Sequence, residues 1–320
     1  MSGGFAVLFP GQGSQEVGMG RELAEVESAA ARLFDLANEI VGYDLASLCF
    51  EGPREALDDT VTTQPALFIT SLACFEAFLE RADDPVPHLA AGHSVGEYAA
   101  LVAAGALDFD DGLRLVEERG RVMKAAGESR PGGMAAILGL EDAAIEQIVE
   151  ETDPDGDSLA VANYNSPGQV VISGAKDEVD RASALASERG AKRVVPLAVS
   201  VAAHSPLMED ALDSLRFAIE ETTFTPAAIP VIGNITGEGI REPEEIREEL
   251  AAQLTRSVQW TWTVQRILQE GVRTFVEVGP GRVLSGLVRR TDKEARTLHV
   301  SDPASLEATI SALGQPQAAP

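Results

Sequence analysis

Residues 87–105 read PHLAAGHSVGEYAALVAAG: a short apolar run, a serine between two glycines, and a second apolar run. The first run predicts a buried strand, and the second a helix from Val95 to about Ala104. G-H-S-V-G at 92–96 therefore falls where strand turns to helix, the setting in which G-x-S-x-G forms a nucleophile elbow. Small flanking residues let the backbone close into a sharp turn that exposes Ser94. The next N–H, that of Val95, then points at the oxygen of a bound carbonyl from the positive end of a helix. The bare pattern also arises by chance as a structural turn. Its context favours the nucleophile.

Upstream, FAVLF at 5–9 reads as a strand that stops at Pro10 and runs into GQGSQEVGMG. Residues 21–41 and 64–82 read as helices, the second with Pro65 near its first turn. VPHLAAG reads as the next strand, and 108–126 as a helix capped by Asp108 or Asp110. Strand and helix alternate, which argues for a parallel sheet with helices on both faces. Beyond residue 129 the order changes. GGMAAILGL, SLAVANY, GQVVISG and AKRVVPL read as strands, with helices at 141–151 and 176–189, giving the β-α-β-β-α-β order of a ferredoxin-like unit. AIPVIGNITG and RTFVEVG supply later strands, with acidic helices between and after them. The expected fold class is α/β. A large α/β-hydrolase-like domain with a short parallel sheet, residues 1–128 and 199–320, would be interrupted by a ferredoxin-like small domain at 129–198. The tail GQPQAAP is expected to fray.

Of 320 residues, 45% are hydrophobic, enough for a sizeable core, and 51 acidic against 25 basic residues give a net charge of −26. Such a surface repels nucleic acid and anionic membranes. Lysine is scarce beside arginine, which hints at a high-salt habitat. No run of about 18 apolar residues is present and no basic leader precedes FAVLF, so a soluble cytoplasmic protein is expected. Cys49 and Cys74 have neither metal nor redox spacing and read as core residues. No metal motif is present.

A serine nucleophile needs a base. His93 adjoins Ser94 and should point away from it. His88 falls in the strand and His299 near the tail, and both read as structural. His204, in the loop SVAAHSPLM, is the best base. No carboxylate is evident to orient it; an amide or a backbone carbonyl would suffice for a thioester substrate. In DDGLRLVEERGRVMKAAG, Leu113, Val116, Gly120 and Met123 form one inward row, and Leu115, Arg119 and Val122 form the row beside it. Glu117, Glu118, Arg121 and Lys124 point outward. Arg119 thus sits on an apolar face, where an unmatched guanidinium is costly. A core carboxylate would match it, and so would a two-pronged contact to a substrate carboxylate. Nucleophile, base and buried cation together suggest transfer of an acyl group that carries its own carboxylate.

FPGQGSQ at 9–15, TQPAL at 63–67, GHSVGE at 92–97, ERGRVM at 118–123, NYNSPGQVVISG at 163–174, HSPLM at 204–208, QLTRSVQW at 253–260 and EVGPGRVLSGLVRR at 277–290 resemble, in order, the malonyl-CoA:acyl carrier protein transacylase family. The resemblance implies that Ser94 is acylated and that His204 is its base and acid. It implies an oxyanion hole from Val95 and Gln12, and a main-chain carbonyl of Gln253 that orients His204. Arg119, helped by His93, would hold the malonyl carboxylate. Asn163, Asn165 and Gln169 would line the pantetheine cleft, with Gln64 a second-tier lining candidate. No cofactor is implied, since malonyl-CoA is a substrate and phosphopantetheine belongs to the partner acyl carrier protein. A monomer is expected. Arg282, Arg289 and Arg290, with Lys192 and Arg193, are candidates for carrier docking, although helix-end cations are commonplace. Ser257 stands where the family often has proline, and VAAH at 201–204 lacks the more usual serine before the histidine. Three other readings stay open: a serine hydrolase using the same elbow, a non-catalytic binding protein, and a free-standing acyltransferase of a polyketide pathway.

Overall fold

The computed structural model describes residues 4–199 and 201–314; residues 315–320, most of the tail expected to fray, lie outside them. The strands are β1 (Phe5–Phe9), β2 (Leu89–Gly92), β3 (Gly132–Leu138), β4 (Leu159–Ser166), β5 (Gln169–Ala175), β6 (Arg193–Pro196), β7 (Val231–Ile232), β8 (Gly239–Ile240), β9 (Thr274–Val278) and β10 (Arg296–Val300). Six form one sheet in the order β10-β9-β1-β2-β7-β8. It is parallel from β10 to β7, and only β8 runs antiparallel. β1, β2 and β9 are buried along their whole length, as near-continuous apolar strands inside a helix-covered sheet should be.

The other four strands form a separate sheet, β4-β5-β3-β6, with every neighbouring pair antiparallel. β5 lies between β3 and β4, which makes a split β-α-β unit with the helix Asp142–Thr152 as the crossover. This sheet has its own apolar core, including Ile137, Ile145, Ile148, Val170, Ile172 and Ala182.

Several boundaries differ from expectation. The helix predicted over 21–41 is two helices, Arg21–Val26 and Ser28–Val41. Glu27 between them is extended and buried, and its carboxylate pairs with Arg81 across 2.8 Å. The helix predicted from 64 begins at Thr60, because Asp59 accepts the Val61 N–H. Pro65 therefore sits in the second turn. β2 starts at Leu89, leaving His88 exposed ahead of the strand rather than in it. AIPVIGNITG contributes only the two residues of β7, and β10 was not foreseen. The helix predicted at 108–126 runs Phe109–Ser129 with Asp108 at its N-cap. Among the described residues no helix is long and apolar enough to cross a membrane.

Candidate active site

The elbow is built by close backbone approach. A Cβ on Gly92 would lie 2.0 Å from the Gly96 carbonyl carbon, and one on Gly96 would lie 2.2 Å from the Phe9 carbonyl oxygen. Only glycine fits at either place. Between them Ser94 takes φ +54°, in the left-handed region that other residues seldom occupy. Val95, buried, caps the helix Gly96–Ala103.

The Ser94 Oγ lies 2.8 Å from His204 Nε2. His204 Nδ1 lies 2.8 Å from the Gln253 carbonyl oxygen and 3.2 Å from that of Arg256. A carbonyl only accepts, so Nδ1 carries the proton and Nε2 is left free to accept from Ser94. Burial, and then the Arg119 charge, push His204 down to about 3, which keeps the ring neutral at ordinary pH, with Nε2 free to accept.

Arg119 is fully buried behind Ser94. The rows predicted around it hold: Leu113, Leu115, Val116, Gly120, Val122 and Met123 are buried with it, Arg121 and Lys124 are exposed, and Glu117 and Glu118 are half-buried. A Cβ on Gly120 would come within 3.0 Å of the Thr60 oxygen, so glycine there lets this helix meet the start of the helix Thr60–Arg81. Gln64 is thereby brought to Arg119, and its Oε1 accepts from Nη1. Nη2 donates to the Ser94 Oγ and to the Gln253 Oε1, each at 2.9 Å. Met123 Sδ lies 3.3 Å from Nη1. Nε has no partner among the described residues, and no carboxylate among them pairs with the guanidinium.

A cavity of about 270 Å³ opens in front of these groups. Gln12, His93, Ser94, Asn163, Asn165, Gln169 and His204 all line it. Its apolar wall includes Val201 and Ala203, from VAAH, and Val283 and Leu287. Gln12 is held by Gln64, whose Nε2 donates to its Oε1 at 3.0 Å. β4 shifts register at Val161/Asn163 and again at Tyr164/Ser166, and bulges of this kind re-aim side chains. His93 is turned away from Ser94, as expected: its Nε2 lies 2.8 Å from Asn165 Oδ1, and its ring packs against Trp260. No hydrogen bond joins His93 to Arg119. Gln169 accepts from Arg290. Arg282, Arg289, Arg290, Lys192 and Arg193 are exposed. Arg289 and Arg290 occupy the last turn of the helix Val283–Thr291, whereas Arg282 stands before its first. The Ser257 hydroxyl reaches the Val161 carbonyl oxygen at 2.5 Å and ties its loop to the smaller sheet. Cys49 and Cys74 are buried, as expected, and His299 lies in β10 with Nε2 unpartnered among the described residues.

Sequence reasoning missed Asn234 and Glu97. Asn234 Oδ1 accepts the Ser94 N–H at 2.7 Å, and Glu97 Oε1 accepts the Asn234 N–H at 3.0 Å. One signal was available for Glu97, an acid opening an otherwise apolar helix. Asn234 gave none.

A half-buried serine that lines a cavity, bonded to a neutral histidine beside a buried cation, is the equipment of an acyl transferase. An acyl transferase domain model matches residues 7–311, and the chain belongs to that family, among its malonyl CoA-acyl carrier protein transacylases. It is 46% identical to the malonyl CoA-acyl carrier protein transacylase of Bacillus subtilis (strain 168) over 96% of each chain. An acyl carrier protein S-malonyltransferase from Vibrio cholerae is 44% identical with a TM-score of 0.92, covering 95% of this chain and 99% of that one. A malonyl-transacylase solved in complex with its type II polyketide acyl-carrier protein is 42% identical with a TM-score of 0.92, covering 97% of this chain and 99% of the other.

Proposed function

We propose that this chain moves a malonyl group from malonyl-CoA to the phosphopantetheine thiol of an acyl carrier protein, through an O-malonyl-serine, in fatty-acid synthesis. The observation that carries the reading is the Ser94 Oγ held 2.8 Å from His204 and 2.9 Å from a fully buried Arg119. Ser94 attacks the thioester carbon as its proton passes to His204 Nε2. The tetrahedral oxyanion rests on the Val95 N–H, with Gln12 beside it. The C–S bond breaks, and CoA leaves as the thiol with the proton from His204. The carrier's thiol then enters, gives its proton to His204 and attacks the acyl-serine; the C–O bond breaks and Ser94 leaves as the hydroxyl with the proton from His204. Arg119, moving its bonds from the Ser94 hydroxyl to the substrate, holds the malonyl carboxylate. His93 supports it by fixing Asn165 and the cavity wall. Asn163, Asn165 and Gln169 line the pantetheine arm's path.

This chemistry needs no bound cofactor. We read the chain as a cytoplasmic monomer in which residues 1–128 and 199–320 form one discontinuous domain and 129–198 the inserted one. The separate sheets and separate core support that division. A polyketide pathway remains the second reading, favoured by the similarity to a transacylase bound to a polyketide carrier. Intact mass after brief mixing with malonyl-CoA tests the reaction. A malonyl-sized gain is expected in the wild type and none in Ser94→Ala. A gain that survives the substitution would remove Ser94 from the mechanism.

A further inference from the structure

Side chains outside the elbow bond the backbone on both sides of Ser94. Asn234 Oδ1 accepts the Ser94 N–H at 2.7 Å, and Asn234 Nδ2 donates to the Gly92 carbonyl at 2.8 Å. Gln253 Nε2 donates to the Ser94 carbonyl at 3.1 Å, beside the Glu97 backbone N–H at 3.0 Å. In a planar trans peptide the C=O and the following N–H point in opposite directions. Fixing the Ser94 oxygen therefore aims the Val95 N–H, the expected oxyanion donor.

One buried carboxyl joins both amides. Glu97 Oε1 accepts the Asn234 N–H at 3.0 Å, and Oε2 accepts from Gln253 Nε2. The orientation of Gln253 is fixed independently. A guanidinium only donates, so the Gln253 oxygen must face Arg119 and its NH₂ must face Glu97 and Ser94. Glu97 is fully buried between Gly96 and Tyr98, and both its oxygens meet donors. It is also the carboxylate one amide removed from Arg119. We propose that Glu97, through Gln253 and Asn234, is a positioning residue for acyl transfer that aims the Val95 N–H and steadies Arg119. This rests on the acyl-transfer reading above.

Glu97→Gln places an NH₂ against one of two donors, and Asn234→Ala strips two backbone bonds from the elbow without changing charge. Each is expected to lower kcat for acylation by malonyl-CoA by about 100-fold, the effect of losing one oxyanion donor, with KM within about threefold. The loss should appear with acetyl-CoA as well, because the oxyanion does not depend on the acyl tail. The rate at which a fluorophosphonate probe labels Ser94 should fall in parallel. That readout also separates two failures: a wild type that labels but takes no malonyl would sink the malonyl reading and leave the brace testable. The brace is overturned if both variants keep kcat within threefold, if the loss lies in KM alone, or if both lose the fold by circular dichroism.

Discussion

Arg119 has no exposure, yet its hydrogen-bond partners among the described residues are two amide oxygens, a thioether and the Ser94 hydroxyl, with the Tyr98 ring centroid 5.9 Å from its guanidinium carbon. Neutral partners satisfy N–H groups but leave much of the charge uncompensated in a poorly solvated place. Burial accordingly lowers the guanidinium's proton affinity. An arriving carboxylate gains two charge-assisted bonds there, whereas an acetyl group brings none. Arg119→Ala should reduce kcat/KM for malonyl-CoA by about 100-fold, the equivalent of roughly 3 kcal/mol, and raise the use of acetyl-CoA relative to malonyl-CoA. Steady-state rates with both donors check it, and an unchanged preference would remove the carboxylate role. Arg119 was legible in the sequence because its helical phase put a cation among Leu115, Val116 and Val122. That Gln64 and Gln253, named as site residues through the resemblance alone, would pair with it was not legible, since they arrive from helices distant in the chain.

At the scale of elements, the loop after β7 and the helix Pro243–Gln253 meet beneath the elbow with two carboxyls between them. Glu249 Oε1 accepts the Ile235 N–H at 2.7 Å, next to the Asn234 N–H that Glu97 accepts. Burial raises both, Glu97 well above the ordinary carboxylate range with Glu249 adding to it, and Glu249 to about 7. The charges around this pair are Arg119, which reaches Glu97 through Gln253, and Arg256, which opposes the rise at Glu249. His204, at about 3, stays neutral across the same range. A fall in pH through about 7 therefore adds a proton to this pair before it touches the base, and turns an acceptor of the 233–235 loop into a hydroxyl. The acid limb of kcat/KM should lie near 7, and Glu249→Gln, which mimics the protonated form, should flatten it at the low-pH level. A limb near 6.5 that the substitution leaves in place would return the titration to His204. The elements that place these groups were only partly readable. β1, β2 and β9 announce themselves as apolar runs bounded by glycine or proline. β7 is two residues long and β8 pairs with it locally, so neither carries a periodic signal. The break falls at Glu27, whose partner Arg81 no local pattern reveals.

For the whole molecule the tension is charge. The chain carries −26, and we expect its carrier partner to be acidic, so the two repel at long range. Productive docking then needs a local surface of opposite sign beside the cavity. Arg282, Arg289 and Arg290 lie on or next to the helix Val283–Thr291, whose Val283 and Leu287 line the cavity, and Val283 is 49% exposed. Arg193 opens β6 and Lys192 precedes it, close in the chain to Leu197, another exposed lining residue. Among the described residues none of these five cations is held by a carboxylate within salt-bridge distance, unlike Arg216, Arg247 or Arg273. Salt at about 0.1 M screens charges beyond roughly 10 Å. It removes the global repulsion while contacts at the lip persist at shorter range. Transfer to the carrier should therefore change little, or rise, between low and moderate salt, where a basic enzyme with an acidic partner would lose rate steeply. Reversing one lip charge, Arg289→Glu, should lower kcat/KM for the carrier several-fold, mainly through encounter. Initial rates at varied carrier concentration and ionic strength measure both effects. A steep fall with salt in the wild type, or a carrier dependence indifferent to Arg289→Glu, would move the docking surface away from this helix.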